Sequence, residues 1–252
     1  MSSDRPESTA VRSPAPSRPA QGPRYFQIKL ALEGRIAELA TGTSLPPERK
    51  LAAELGTSRT TLRRALAELT AEGVLSRTQG SGNFIAPPKL VHVRQLTSFS
   101  DDLGAEGLTV ESEILAAETL SADAELAAQL EITPGDPVQR LARLRIVNEE
   151  PLALETAHLP GDLDGLPAAV AERGSLYATL HSYGVDIYDV QDSVQTALAT
   201  PDQAVHLRIN TGTPLLLIER TSRTAQGRVV EWTRSFYRGD RVRFVARGKL
   251  GG

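Results

Sequence analysis

Residues 44–86, "SLPPERKLAAELGTSRTTLRRALAELTAEGVLSRTQGSGNFIA", carry two helical apolar stripes and then a hairpin, and few folds accept that order. Leu51, Ala52 and Leu55 make a short helical stripe stopped by Gly56, and Leu62, Ala65, Leu66 and Leu69 make a second one closed by Gly73. Pro46 and Pro47 open the first helix, and Thr57 or Ser58 caps the second. The second stripe leaves Arg59, Thr60, Arg63 and Arg64 outside. A helix, a Gly-containing turn and a second helix with Arg and Thr at its exposed start are what a helix end needs to enter a major groove. "VLSRTQGSGNFIA" then reads as a hairpin beside that helix, a wing, with Arg77 and Gln79 flanking a tip where Gly80 and Gly82 permit close approach to a backbone. Ser58, Arg59, Thr60, Arg63, Arg64, Gln79, Gly80, Ser81 and Gly82 are therefore candidate DNA contacts. A basic helix face alone is usually a solvated surface, and a lone Gly-Ser-Gly is usually a turn. Their conjunction in this order is what argues for DNA.

Charge placement supports the division. Residues 1–90 hold 13 Lys and Arg against 8 Asp and Glu, while residues 91–252 hold 15 against 23. A basic first third joined to an acidic remainder suggests a polyanion-binding module attached to something else. Upstream, Ile28, Leu32, Ile36 and Leu39 predict a further amphipathic helix over 25–40 ended by Gly42, and residues 1–23, rich in Ser, Pro and charge, are expected to be a disordered tail. With no cysteine, disulfides and cysteine-based metal or nucleophile sites are excluded. His92, His158, His181 and His206 lack zinc spacing and read as ordinary core or surface histidines. The lack of a long apolar run or a hydrophobic signal core predicts a cytoplasmic chain.

Residues 86–96, "APPKLVHVRQL", read as a linker, placed at 89–96 between a module at 24–88 and another at 97–248. The second module predicts an α+β fold on an antiparallel sheet. Strands are expected in "LTVESEILAAETL", on either side of the polar turn Asn148-Glu149-Glu150, in "VDIYDVQDSVQTALA", "PLLLIERTSRT", "VVEWTRSFYRG" and "VRFVA"; helices are expected in "SADAELAAQLEI" and "SLYATLHSYG". Arg143 and Arg145, two apart on one strand, leave the same face, and paired guanidiniums suit a phosphate or carboxylate. Glu155 sits on the return strand, Ser175 opens a helix followed by Tyr177, and Glu231 and Tyr237 share a parity. On these residues alone, an exposed strand face balanced by carboxylates and a ligand role for the arginines stand equal. A catalytic Glu155 and Glu231 pair is a third reading, but no nucleotide loop, metal cluster or nucleophile elbow accompanies it.

The first module, "LPPERKLAAELGTSRTTLRRALAELTAEGVLSRTQGSGNFIA", resembles the winged helix-turn-helix of the GntR superfamily of bacterial transcription regulators. That resemblance implies DNA contacts at Arg49, Arg59, Thr60, Arg63, Gly80 and Gly82; Ser81 stands where such wings commonly carry a basic residue. Residues 90–248, through "LTSFSDDLGAEGL", "NEEPLALETAHLP", "GSLYATL", "TALATP" and "VEWTRSFYRGDRVRFVAR", are similar to the effector-binding (UTRA) domain of the HutC branch, a fold similar to chorismate lyase without its enzymatic role. They are most like the DasR and NagR type that answers to amino-sugar phosphates. The resemblance implies phosphate contacts from Thr97, Ser98, Phe99, Ser100, Arg143 and Arg145, phosphate or sugar contacts from Ser175 and Tyr177, and sugar contacts from Glu155, Glu231 and Tyr237. It implies a homodimeric regulator, most simply a repressor, with a DNA operator and a sugar phosphate as partners and with no catalytic residue, cofactor or metal. A regulator of this branch answering to another small anionic metabolite, and a ligand-independent DNA-binding protein, are the alternatives.

Overall fold

A computed structural model describes residues 23–78, 82–87, 89–93 and 108–245. The expected tail, the wing tip at Gln79, Gly80 and Ser81, and the loop Thr97, Ser98, Phe99 and Ser100 lie outside these residues. The chain opens with α1 (Arg24–Ile36), α2 (Glu48–Glu54) and α3 (Arg59–Ala71), followed by β1 (Leu75–Thr78) and β2 (Gly82–Ile85), paired antiparallel. Ile28, Leu32, Ile36, Leu51, Leu62, Leu66, Leu69, Leu75 and Ile85 form one core among them. Each fully buried leucine there contributes about 1.5–3 kcal/mol of apolar burial. The Ser58 side chain caps α3 by accepting from the Thr61 N–H at 3.1 Å, which pins the start of the helix that carries Arg59, Thr60 and Arg63.

One boundary differs from the sequence reading. α1 ends at Ile36, and Leu39, beyond it, is 42% exposed, because the helix has used its apolar face by Ile36 and the chain turns toward Gly42.

The second half is a six-stranded antiparallel sheet in the order β4 (Val110–Ser121), β5 (Pro137–Val147), β6 (Glu150–Pro160), β9 (Val229–Arg238), β8 (Pro214–Arg223) and β7 (Asp189–Leu198). α4 (Ala124–Leu130) and α7 (Pro201–Leu207) follow edge strands, each started by a side-chain cap, Asp123 and Thr200 respectively. α5 (Leu166–Arg173) and α6 (Leu176–Ser182) pack with Leu141, Ala157 and Leu159 against one face of the sheet, called here the inner face. The α5 and α7 segments carried no helix expectation. α5 starts at Gly165 in a left-handed conformation without a side-chain cap, so its start signal is weak.

The expected linker contains a strand. β3 (Leu90–Val93) pairs in parallel with β10 (Val242–Val245), far away in sequence. The turn between β9 and β10 also grips the first module. Lys89 Nζ donates to the Gly239 carbonyl at 2.7 Å, and Arg241 donates to the Pro87 carbonyl at 3.3 Å. At the end of α3, Gly73 has a φ of +71°, and a Cβ built there would stand 1.8 Å from the backbone oxygen of Asp240. The end of the reading helix thus rests directly on the turn that follows β9.

Candidate effector site and nucleic-acid interface

On the first module, Arg49, Ser58, Arg59, Thr60, Arg63 and Arg64 are exposed at the start of α3 and on α2, and Gly82 opens β2 with a φ of +107°. Arg63 Nε pairs with Glu48 at 2.6 Å, and the Arg64 guanidinium lies over the Tyr25 ring at 3.8 Å. Arg49, Arg59 and Arg77 make no ion pair among the described residues. An exposed pair such as Arg63 with Glu48 is worth about 0–1 kcal/mol, so DNA phosphates can displace it. The face is therefore a set of cations held in place by a capped helix and only lightly committed within the protein.

The second site is built on the inner face of the sheet. The pairing register places Arg143 opposite Glu155, Glu155 opposite Ser235, Ser222 opposite Glu231 and Arg220 opposite both Asp192 and Thr233. Parity then puts Arg143, Arg145, Glu155, Glu231 and Tyr237 on one face, together with Arg220 and Ser222. All five of the expected strand residues are buried, Arg145 to 2% exposure. Arg143 Nη2 donates to Glu155, whereas Arg143 Nε and Nη1, also buried, find no acceptor among the described residues. From above the sheet, α6 brings Tyr177, whose hydroxyl lies 3.1 Å from Ser222 Oγ; Ser222 donates onward to Glu231 at 2.7 Å. Arg220 holds Asp192 with two bonds, at 2.8 and 3.0 Å, and reaches the Tyr177 hydroxyl at 3.4 Å. Ser175 caps α6, accepting from the Ala178 N–H at 3.2 Å, so part of its bonding capacity serves the helix.

Burial and charge set the protonation of this network. Burial alone would raise the Glu155 pKa, but the Arg143 and Arg145 charges reverse that and hold it below the ordinary carboxylate value. Glu231 moves the other way: burial, reinforced by the nearby Glu155 charge, raises it. Burial lowers Arg145, with the Glu155 charge opposing. Burial raises both Tyr177 and Tyr237, so their hydroxyls stay neutral donors. Arg143, Arg145 and Arg220 thus share this face with Glu155, Asp192 and Glu231, and the upward shift of Glu231 weakens the negative side of that balance. Such a set of side chains suits an anion with hydroxyl or amine groups attached. Among the described residues no group of three or more His, Cys, Asp or Glu is placed to hold a metal.

Sequence reasoning did not pick out Arg220, Asp192 or Ser222. Arg220 and Ser222 carry the same two-residue parity signal as Arg143 and Arg145. Their relevance depends on β8 lying beside β7 and β9, which a single strand's pattern does not reveal.

Comparison with known proteins places both halves. The model of the gntR family of bacterial regulatory proteins matches residues 24–85, and that of the UTRA domain matches residues 105–243. The HTH-type transcriptional repressor NagR of Bacillus subtilis is 35% identical over 227 residues, covering 88% of this chain and 93% of that protein. The mannosyl-D-glycerate transport/metabolism system repressor MngR of Escherichia coli is 32% identical over 229 residues, covering 88% and 95%. The crystal structure of PhnF from Mycobacterium smegmatis matches with a TM-score of 0.64 at 31% identity, covering 89% of this chain and all of that one. No helix among the described residues is long and apolar enough to cross a membrane.

Proposed function

Because the chain belongs to the GntR family of bacterial transcription regulators, in its HutC-type form with a winged helix and a UTRA domain, we propose that it is a homodimeric repressor of amino-sugar uptake or catabolism genes. Its effector is a sugar phosphate such as glucosamine-6-phosphate or N-acetylglucosamine-6-phosphate. Arg143 and Arg145 hold the phosphate, with residues 97–100 adding phosphate contacts and Ser175 and Tyr177 contacting phosphate or sugar. Glu155, Glu231 and Tyr237 face the sugar hydroxyls and the amine or amide. The observation that carries this reading is the buried Arg143 guanidinium, whose Nε and Nη1 groups lack acceptors among the described residues on a face shared with Arg145 and Arg220. A buried donor left unpaired costs about 1–3 kcal/mol, and an anionic oxygen removes that cost on binding.

On the DNA side, Arg49, Ser58, Arg59, Thr60, Arg63, Arg64 and the wing residues Gln79 to Gly82 contact the operator, two copies of the chain reading two half-sites. The effector acts by favouring an arrangement of the two reading heads that no longer matches the half-site spacing, and its leverage equals its differential affinity for the two arrangements. A second reading, a different small anionic metabolite, is favoured by the name of MngR, which ties that relative to a sugar bearing a glycerate.

Calorimetric titration of the chain with glucosamine-6-phosphate, N-acetylglucosamine-6-phosphate and their unphosphorylated sugars tests the reading. Binding that requires the phosphate supports it. Binding of other anions alone moves the effector to the second reading, and binding of none, with operator recognition intact, leaves a ligand-independent DNA-binding protein.

A further inference from the structure

On the inner face, Arg220, Tyr177, Ser222 and Glu231 form a chain of hydrogen bonds in which every hydrogen has an assigned place. Asp192 on β7 anchors Arg220 with bonds at 2.8 and 3.0 Å, and the same guanidinium reaches the Tyr177 hydroxyl at 3.4 Å. The Tyr177 hydroxyl lies 3.1 Å from Ser222, which lies 2.7 Å from Glu231, its partner across the strand pair. Ser222 is wholly buried, so no water supplies a substitute bond.

A hydroxyl carries one hydrogen, an ionised carboxylate only accepts, and an arginine only donates. With Glu231 ionised, the Ser222 hydrogen goes to it, and Tyr177 must donate to Ser222. The Tyr177 oxygen accepts from Arg220. Its hydrogen is committed, so Tyr177 meets a ligand as an acceptor and has nothing to give a phosphate oxygen. A proton on Glu231 reverses the order: the acid donates to Ser222, Ser222 donates to Tyr177, and the phenolic hydrogen is released toward the ligand. Both orders use the same heavy-atom positions, because a serine hydroxyl turns to suit its partners.

The groups that act on Glu231 come from several elements: Tyr177 from α6, Arg220 and Ser222 from β8, Glu155 from β6 and Thr233 on its own strand. Burial raises the Glu231 pKa and the Glu155 charge adds to the rise, while the Ser222 donor is the largest influence opposing them. Burial alone would lower the Arg220 pKa, but its bonds to Asp192 reverse that and keep the guanidinium charged.

We propose that Ser222 is a positioning residue of the effector site, a relay that ties the hydrogen-bonding sense of Tyr177 to the charge on Glu231. With Glu231 ionised, both groups accept from hydroxyl or amine groups of the ligand, and Tyr177 belongs to the sugar rather than to the phosphate. The proposal rests on the effector reading above and orients the ligand within it.

The full-length protein, free of ligand, provides the first test. Carbon-13 labelling of the glutamate carboxyls gives the Glu231 titration midpoint, its signal assigned by its absence from Glu231→Gln. Ser222→Ala removes one buried oxygen and is expected to raise that midpoint; Ser222→Thr, which keeps the hydroxyl, is expected to hold it. Tyr177→Phe is expected to raise it by less, because Ser222 still donates, and it takes the place of Ser222→Ala if that variant does not fold. The second test is calorimetry with glucosamine-6-phosphate across pH. The ligand's own ionisations are common to both proteins and cancel in the affinity ratio of wild type to Ser222→Ala. That ratio is expected to widen as pH falls, by about tenfold for each pH unit between the two midpoints. A midpoint left in place by the deciding variant overturns the relay, and a moved midpoint with a pH-independent ratio overturns its role in binding. A wild-type protein that binds no sugar phosphate removes the effector reading itself, and the carbon-13 midpoints then decide the relay alone.

Discussion

Replacing Arg143 with methionine isolates the charge at the centre of the inner-face network. The substitution keeps an unbranched stem of similar reach and removes the guanidinium that donates to Glu155. Deleting one partner of a buried ion pair costs about 3–5 kcal/mol when the remaining charge is left uncompensated. Here Arg145 and Arg220 still act on Glu155, so a loss of stability near or below the bottom of that range, about 2–3 kcal/mol, is expected. For the ligand, each charge-assisted hydrogen bond is worth about 1.5–3 kcal/mol, and Nε and Nη1 offer two. Sugar-phosphate affinity should therefore fall by at least about a hundredfold. Because the folded-state pKa of Glu155 lies below its unfolded value, its contribution is present above the unfolded pKa and is lost as pH falls through the folded pKa. In Arg143→Met that acid-side loss should shrink. Urea unfolding at several pH values, calorimetry with glucosamine-6-phosphate and anisotropy on an operator fragment at fixed salt measure the three effects. A folded variant that binds the sugar phosphate within about threefold of wild type would refute the phosphate role of this face.

Arg59→Ala, which removes an exposed cation with no ion pair among the described residues, should weaken operator binding and flatten its salt dependence; Arg63→Ala should weaken it at least as much, since it also leaves Glu48 as an unpaired negative charge near the DNA. Both should leave effector calorimetry unchanged, whereas a loss of effector binding in either would undo the division between the two modules. Burial holds the His158 pKa below its ordinary 6.5, so the unfolded chain takes up the proton first and stability should decline as pH falls below 6.5 toward the folded value; His158→Gln should remove that slope from urea midpoints. Leu62→Ala, at a fully buried position in α3, should cost about 2–5 kcal/mol and abolish operator binding at temperatures where the first module melts. Gly73→Ala should cost more than the ~1–2 kcal/mol of a left-handed alanine, because its Cβ also meets the Asp240 oxygen; a loss within that range by urea unfolding would mean that the contact carries no weight.

The reading helix was visible in the sequence because its evidence is local: Ser58, the Leu62 to Leu69 stripe and Gly73 lie within one helix and its caps. Arg143 and Arg145 were visible for the same reason, as two positions on one strand. Strand β3 was not, since "KLVHV" looks like linker and its partner, β10, lies at the other end of the chain. Arg220 and Asp192 were missed because they meet only across a strand pair, and the parity Arg220 shares with Ser222 on one strand does not reveal that partner. Leu39 was overcounted because helical spacing continued past the point where α1 had anything left to pack against.

The seat of Gly73 on Asp240 has a mechanical side. Most contacts between modules are cushioned by side chains, which change rotamer and absorb small shifts. At this joint backbone meets backbone, at the end of α3 on one side and just beyond the strand bearing Glu231 and Tyr237 on the other. A displacement of that turn has no rotamer to take it up. Either the reading helix moves with the turn, or the joint opens.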